Sequence, residues 1–101
     1  MVKLVALFTR PDDPAGFDRL YTETHLPLAR RMPGLVRLES TRFTGTPTGQ
    51  PAPYDRMAEL YFESKDAMQA AMVSEEGKAA GANLMGFAKG LVTFVFAEVK
   101  E

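Results

Sequence analysis

The sequence predicts an α+β fold in which a four-stranded antiparallel sheet carries its helices on one face. Three observations lead there. Runs rich in β-branched and aromatic residues open and close the chain, two segments repeat apolar side chains every three or four positions, and the elements follow the order strand, helix, strand, strand, helix, strand. With 101 residues, 46% of them hydrophobic, there is material for one core and not for two, so residues 1–101 are expected to form a single domain.

Val2 to Thr9 reads as the first strand, stopped by Arg10-Pro11-Asp12-Asp13-Pro14, where Asp13 can cap a helix and Pro14 can occupy its first turn. Phe17, Leu20, Tyr21, Thr24 and Leu28 then fall on one helical face, while Asp18, Arg19, Thr22 and Glu23 lie on the others. Pro27 disfavours α geometry at Leu26, so this helix is expected to end near Thr24 or His25. A kink at His25-Leu26-Pro27 should follow, then a second short helical turn from Leu28 to Met32, closed by Pro33-Gly34.

Leu35 to Thr44 alternates with period two but has polar faces, which suits an edge strand. The stretch from Gly45 to Pro53 is punctuated by prolines and glycines and reads as a long hairpin loop. Arg56 to Phe62 is the third strand. Ser64 and Asp66 open a second helix with Ala67, Met68, Ala71 and Met72 as its apolar stripe. Ser74-Glu75-Glu76-Gly77 interrupts it, Lys78 to Phe87 is expected to add another turn or two, and Leu91 to Val99 is the final strand. Gly77, Gly81, Gly86 and Gly90 read as separate helix-end and turn glycines. In so short a chain this order most economically gives the ferredoxin-like βαββαβ arrangement.

Both alternating sets of the outer segments are apolar: Val2, Leu4, Ala6 and Phe8 against Val5 and Leu7, and Val92, Phe94 and Phe96 against Leu91, Val95 and Val99. Two helices can cover one set. The other would lie in water, so a homodimer packed sheet to sheet is expected, with a pocket between each sheet and its own first helix.

Twelve basic and thirteen acidic residues give a formal net charge of -1, which provides no electrostatic basis for nucleic acid or an anionic membrane as partner. No run approaches the ~20 apolar residues of a bilayer crossing. The absence of cysteine removes disulfides, thiolate nucleophiles and sulfur-ligated metals together and fits a reducing cytoplasm. One histidine with scattered carboxylates is poor provision for a metal, and haem lacks evident propionate-binding residues near it. No cofactor is therefore expected.

That histidine, His25, is the first candidate site residue, as a general acid or base or a hydrogen bonder at a pocket. The competing role is an imidazole capping the carbonyls freed where Pro27 breaks the helix. Tyr21, one turn earlier on the same face, can orient His25 or polarise a ligand carbonyl, or it is a core aromatic. Glu59, in the third strand, must be paired or have a raised pKa if a dimer buries it. It is a second acid/base candidate if it faces the cavity. Arg37, Glu39 and Arg42 read as a solvated edge, and Tyr54 as a loop anchor.

Tyr21…His25-Leu26-Pro27-Leu28, Met32-Pro33-Gly34-Leu35, Met57 to Ser64, Ala67-Met68 and Met72 to Gly77 together resemble the EthD-like family of the dimeric α/β-barrel superfamily. The resemblance spans most of the chain. It implies a dimer whose two sheets close into a barrel, a pocket lined by the helix bearing Tyr21 and His25, and a place in the breakdown or tailoring of small organic molecules. If the chain is an enzyme, the resemblance implies a cofactor-free lyase, isomerase or oxygenase. It leaves open a non-catalytic protein that binds a small ligand or accompanies stress.

Overall fold

The computed structural model describes residues 1–100. Its elements are β1 (Val2–Phe8), α1 (Pro14–Leu20), a π turn (Tyr21–His25), α2 (Leu26–Ala29), β2 (Leu35–Arg42), β3 (Arg56–Phe62), α3 (Lys65–Val73), α4 (Glu75–Ala88) and β4 (Val92–Glu98). The strands form one antiparallel sheet in the order β2-β3-β1-β4, which is the ferredoxin-like topology, with β2 at the edge as its polar faces predict.

Register assigns the two faces. Leu4 pairs with Leu60 and Ala6 with Ala58, and these side chains, with Phe8 and Phe62, meet Phe17, Tyr21, Met68, Ala71 and Leu84 from the helices in the core. Tyr21, Phe8 and Phe62 are its largest fully buried side chains. Each of the two phenylalanines contributes about 1.5–3 kcal/mol by leaving water. Lys3, Val5, Leu7, Met57, Glu59, Tyr61 and Val95 belong to the opposite, helix-free face. The strict alternation expected of β2 fails at its start, where the register shifts between Leu35 and Arg37. The shift keeps both Leu35 and Leu38 half-buried against the core and leaves Arg37 and Glu39 on the open face.

Asp13 caps α1 as expected, its carboxylate accepting from Gly16 N–H at 3.1 Å, with Pro14 in the first turn. The helix end expected near Thr24 or His25 does not occur. Leu26 is α-helical at φ -59 and ψ -42, and the chain stays helical through Ala29. The turn before Pro27 widens instead: Leu26 N–H donates to Tyr21 O, five residues back. A wider turn gives the pyrrolidine ring room and removes the demand for the N–H that proline lacks.

The second correction concerns α4, which runs for 14 residues rather than a turn or two. Gly81 and Gly86 lie inside it and are not helix ends. Ser74 alone separates it from α3. Extended at ψ 162, Ser74 ends one helix and caps the next through Gly77 N–H at 3.0 Å. Gly77 is held by close approach, because a Cβ there would collide with the Ala71 carbonyl. No helix among the described residues is long and apolar enough to cross a membrane.

Candidate functional site

A cavity of about 560 Å³ lies between the helix-bearing face of the sheet and the helices. Leu4, Ala6, Phe8, Ala58 and Leu60 form its floor. His25, Ala29 and Met32 close one side, residues of α4 the other, and Phe94 and Phe96 the rim. The wall is thus shared between the helix bearing His25 and α4, and is wider than the first helix alone. Phe94 and Phe96 are 45% and 59% exposed, because the helices stop short of covering β4.

The π turn sets His25 there. A helix that broke before Pro27 would have let the imidazole swing out to cap carbonyls; the continuous helix buries it, with no capping hydrogen bond from its side chain. The ring lies at 6.1 Å from the Phe87 ring, edge to face, and 6.1 Å from that of Tyr21. Burial lowers its pKa from 6.5, with the Asn83 carboxamide opposing to a smaller degree. His25 is therefore a neutral imidazole at pH 7. Neither His25 Nδ1 nor Asn83 Oδ1 completes a hydrogen bond among the described residues. The site so places a buried imidazole on a wall whose other lining side chains, Lys78 apart, are apolar.

Tyr21 is placed as a core aromatic. Its ring packs edge to face on Phe8 at 5.6 Å and parallel to Phe17 at 6.0 Å, with the Arg56 guanidinium 4.6 Å from its centre. Its hydroxyl shares a 2.9 Å hydrogen bond with Ser40 Oγ, and burial raises its pKa above 10.0. It touches His25 ring to ring and is outside the cavity wall. Arg56 itself is buried and reaches Asp18 at 3.3 Å and Asp55 at 3.8 Å.

Glu59 is brought to neither of these residues. It lies on the open face, paired in register with Val5, where its carboxylate accepts from Lys3 Nζ at 2.5 Å and stands 3.5 Å from the Tyr61 hydroxyl. The condition for a second acid or base in the cavity, that Glu59 face it, is not met. The expectation that a carboxylate on this face be paired is. Arg37 stacks on the Tyr61 ring at 3.9 Å and bonds Glu39 at 2.7 Å, and Arg37, Glu39 and Arg42 are all exposed, the solvated edge that their alternation implies.

Asn83 and Phe87 escaped sequence reasoning because they fall in the segment expected to add only a turn or two of helix. Once α4 is seen to be continuous, their spacing of four on one face is the signal. Among the described residues no group of three or more His, Asp or Glu converges as metal ligands.

Residues 10–90 match the family model described as the EthD domain. The chain is 35% identical to an uncharacterised 11.0 kDa protein of the thcB-thcC intergenic region of Rhodococcus erythropolis, over 97% of this chain and 94% of that one. Among solved structures it is similar to an ethyl tert-butyl ether D (EthD) family protein of Bacillus halodurans. That match has 41% identity, a TM-score of 0.94 and 99% coverage of both chains. The fold is also that of SnoaB, a cofactor-independent oxygenase from Streptomyces nogalater, at 19% identity and a TM-score of 0.71 over 99% of this chain and 93% of that one. A dimeric ferredoxin-like protein from Thermobifida fusca shares it at 19% identity and a TM-score of 0.69, over 97% and 90% of the two chains. The extent of the family match and the two closer relatives agree: the chain belongs to the EthD domain family.

Proposed function

We propose that this protein is a homodimeric, cofactor-independent enzyme that acts on a small apolar or phenolic organic molecule by proton transfer at His25, in the degradation or tailoring of such compounds. The observation that carries the reading is a buried, neutral imidazole on the wall of a largely apolar cavity of about 560 Å³. A neutral imidazole of lowered pKa accepts a proton at pH 7 and, once cationic in an apolar site, gives it up readily. Tyr21 is a positioning residue. It fixes the imidazole through ring contact while Ser40 holds its hydroxyl. Glu59, bonded to Lys3 on the helix-free face and buried there within a single subunit, supports that face rather than the reaction.

Two observations support the dimer. Val95 is 44% exposed on the helix-free face, and structural neighbours include dimeric ferredoxin-like proteins. A cavity-borne reaction of this kind suits a cytoplasmic metabolic protein. The test is turnover of a panel of apolar and phenolic compounds against pH. The rate constant kcat/KM should rise through an inflection below 6.5 and stay flat above it, and His25→Ala should abolish it. Activity unchanged in His25→Ala sinks the assignment. A second reading, a non-catalytic ligand-binding or stress-associated dimer, draws on the cavity having one titratable group besides Lys78. Native mass spectrometry that finds a retained ligand without turnover selects it.

A further inference from the structure

His25 and Lys78 are the only polar side chains among the described residues that line the cavity, and no carboxylate faces it. Lys78 is exposed, and among the described residues it joins no ion pair. Lys3 and Lys100, by contrast, are engaged with Glu59 and Glu98. An ammonium at the rim of an apolar, low-dielectric cavity focuses a positive field into it, with nothing inside to cancel it. Along α4, Lys78 precedes Asn83 by five residues and Phe87 by nine, and both of these flank the His25 ring. At the helical rise the two polar groups therefore stand roughly 8–14 Å apart along the helix.

We propose that Lys78 makes this a site for amphipathic anions: molecules with an apolar body about as long as two fused rings, an anionic group met by Lys78 at the rim, and a hydrogen-bonding group turned toward His25. The inference rests on the cavity being a ligand site and adds the charge of its ligand. Met32, Met72 and Met85 lie in the wall, and their flexible, polarisable side chains accept bodies of varied outline. Phe94 and Phe96, exposed at the rim, stack against aromatic ones. Charge at one end, rather than exact shape, then decides what enters.

The test compares two near-isosteric fluorescent probes, 8-anilinonaphthalene-1-sulfonate and neutral N-phenyl-1-naphthylamine, titrated into the intact protein. Both should bind. Lys78→Gln should weaken the sulfonate roughly fivefold and leave the neutral probe unchanged, Lys78→Arg should restore it, and Lys89→Gln, off the cavity, should change neither. Gly81→Leu should weaken both probes, because Gly81 lines the cavity with open space where its side chain would be. If both probes bind wild type, Gly81→Leu weakens both, and Lys78→Gln moves neither, the anion inference falls and the cavity remains a ligand site. If neither probe binds, or Gly81→Leu leaves both unaffected, the inference falls together with the proposed function.

Discussion

Glu59 and His25 face away from each other across the sheet. Glu59 sits between Ala58 and Leu60 in β3, and those two neighbours floor the cavity that holds His25 while Glu59 points to the helix-free side and bonds Lys3. The period of two in a strand makes this separation unavoidable once Leu60 is in the core. The two acid/base candidates thus serve two different surfaces.

The Lys3–Glu59 pair is consequently a matter of stability. Glu59→Gln should cost about 1–2 kcal/mol in urea unfolding and leave probe binding in the cavity unaltered. The Glu59 hydrogen bond is the largest cause of the raised Lys3 pKa. A cation whose pKa is raised on folding contributes stability that is full below its unfolded value of 10.5 and fades as pH climbs through the folded value. The advantage of wild type over Glu59→Gln should therefore hold at neutral pH and shrink above 10.5. A gap in urea midpoints that persists undiminished at high pH would show that the pair is not its source.

For His25 the sign is opposite. Burial lowers its pKa, so between the folded value and 6.5 the unfolded chain binds the extra proton, and stability drops as pH falls below 6.5. As the chain's only histidine, it gives a single set of imidazole resonances, whose titration midpoint should lie below 6.5. Asn83→Leu should lower that midpoint further. His25→Gln should flatten the stability profile through this window. A midpoint at or above 6.5 would mean the ring is open to water.

Much of this was legible in the residues themselves. The apolar runs of β1 and β4, the Asp13-Pro14 helix start and the extent of β3 report local chemistry that the fold keeps. What eluded the sequence are places where a neighbour overrules a local preference. Pro27 is a helix breaker in isolation, yet a π turn lets it sit in a continuous helix that buries His25. Gly81 and Gly86 weaken a helix in isolation, yet capping by Ser74 and packing of Leu84 and Ala88 hold α4 through them. The position of Asn83 beside His25 depended on both, and so was invisible.

Tyr21 can be separated from His25 by one atom. Tyr21→Phe removes the hydroxyl that bonds Ser40 and keeps every ring contact, so it should cost about 1 kcal/mol of stability. Ser40→Ala should cost as much or less, and the double variant no more than Tyr21→Phe alone, because both changes delete one bond. The His25 titration should be the same in Tyr21→Phe as in wild type. A shifted midpoint would mean the phenol acts on the imidazole directly.

Assembly is read most cleanly from two valines paired across β1 and β4. Val5 and Val95 are register partners on the helix-free face, yet Val5 is 7% exposed within one subunit and Val95 is 44% exposed. A carboxylate at Val5 must be buried by folding itself, whereas one at Val95 meets water in a lone subunit and is buried only when a second sheet covers it. Val95→Asp should therefore give a folded monomer by sedimentation equilibrium, with unchanged far-ultraviolet dichroism. Val5→Asp should instead lower stability by several kcal/mol at any concentration. If Val95→Asp sediments as the wild type does, the helix-free face is not the contact between subunits.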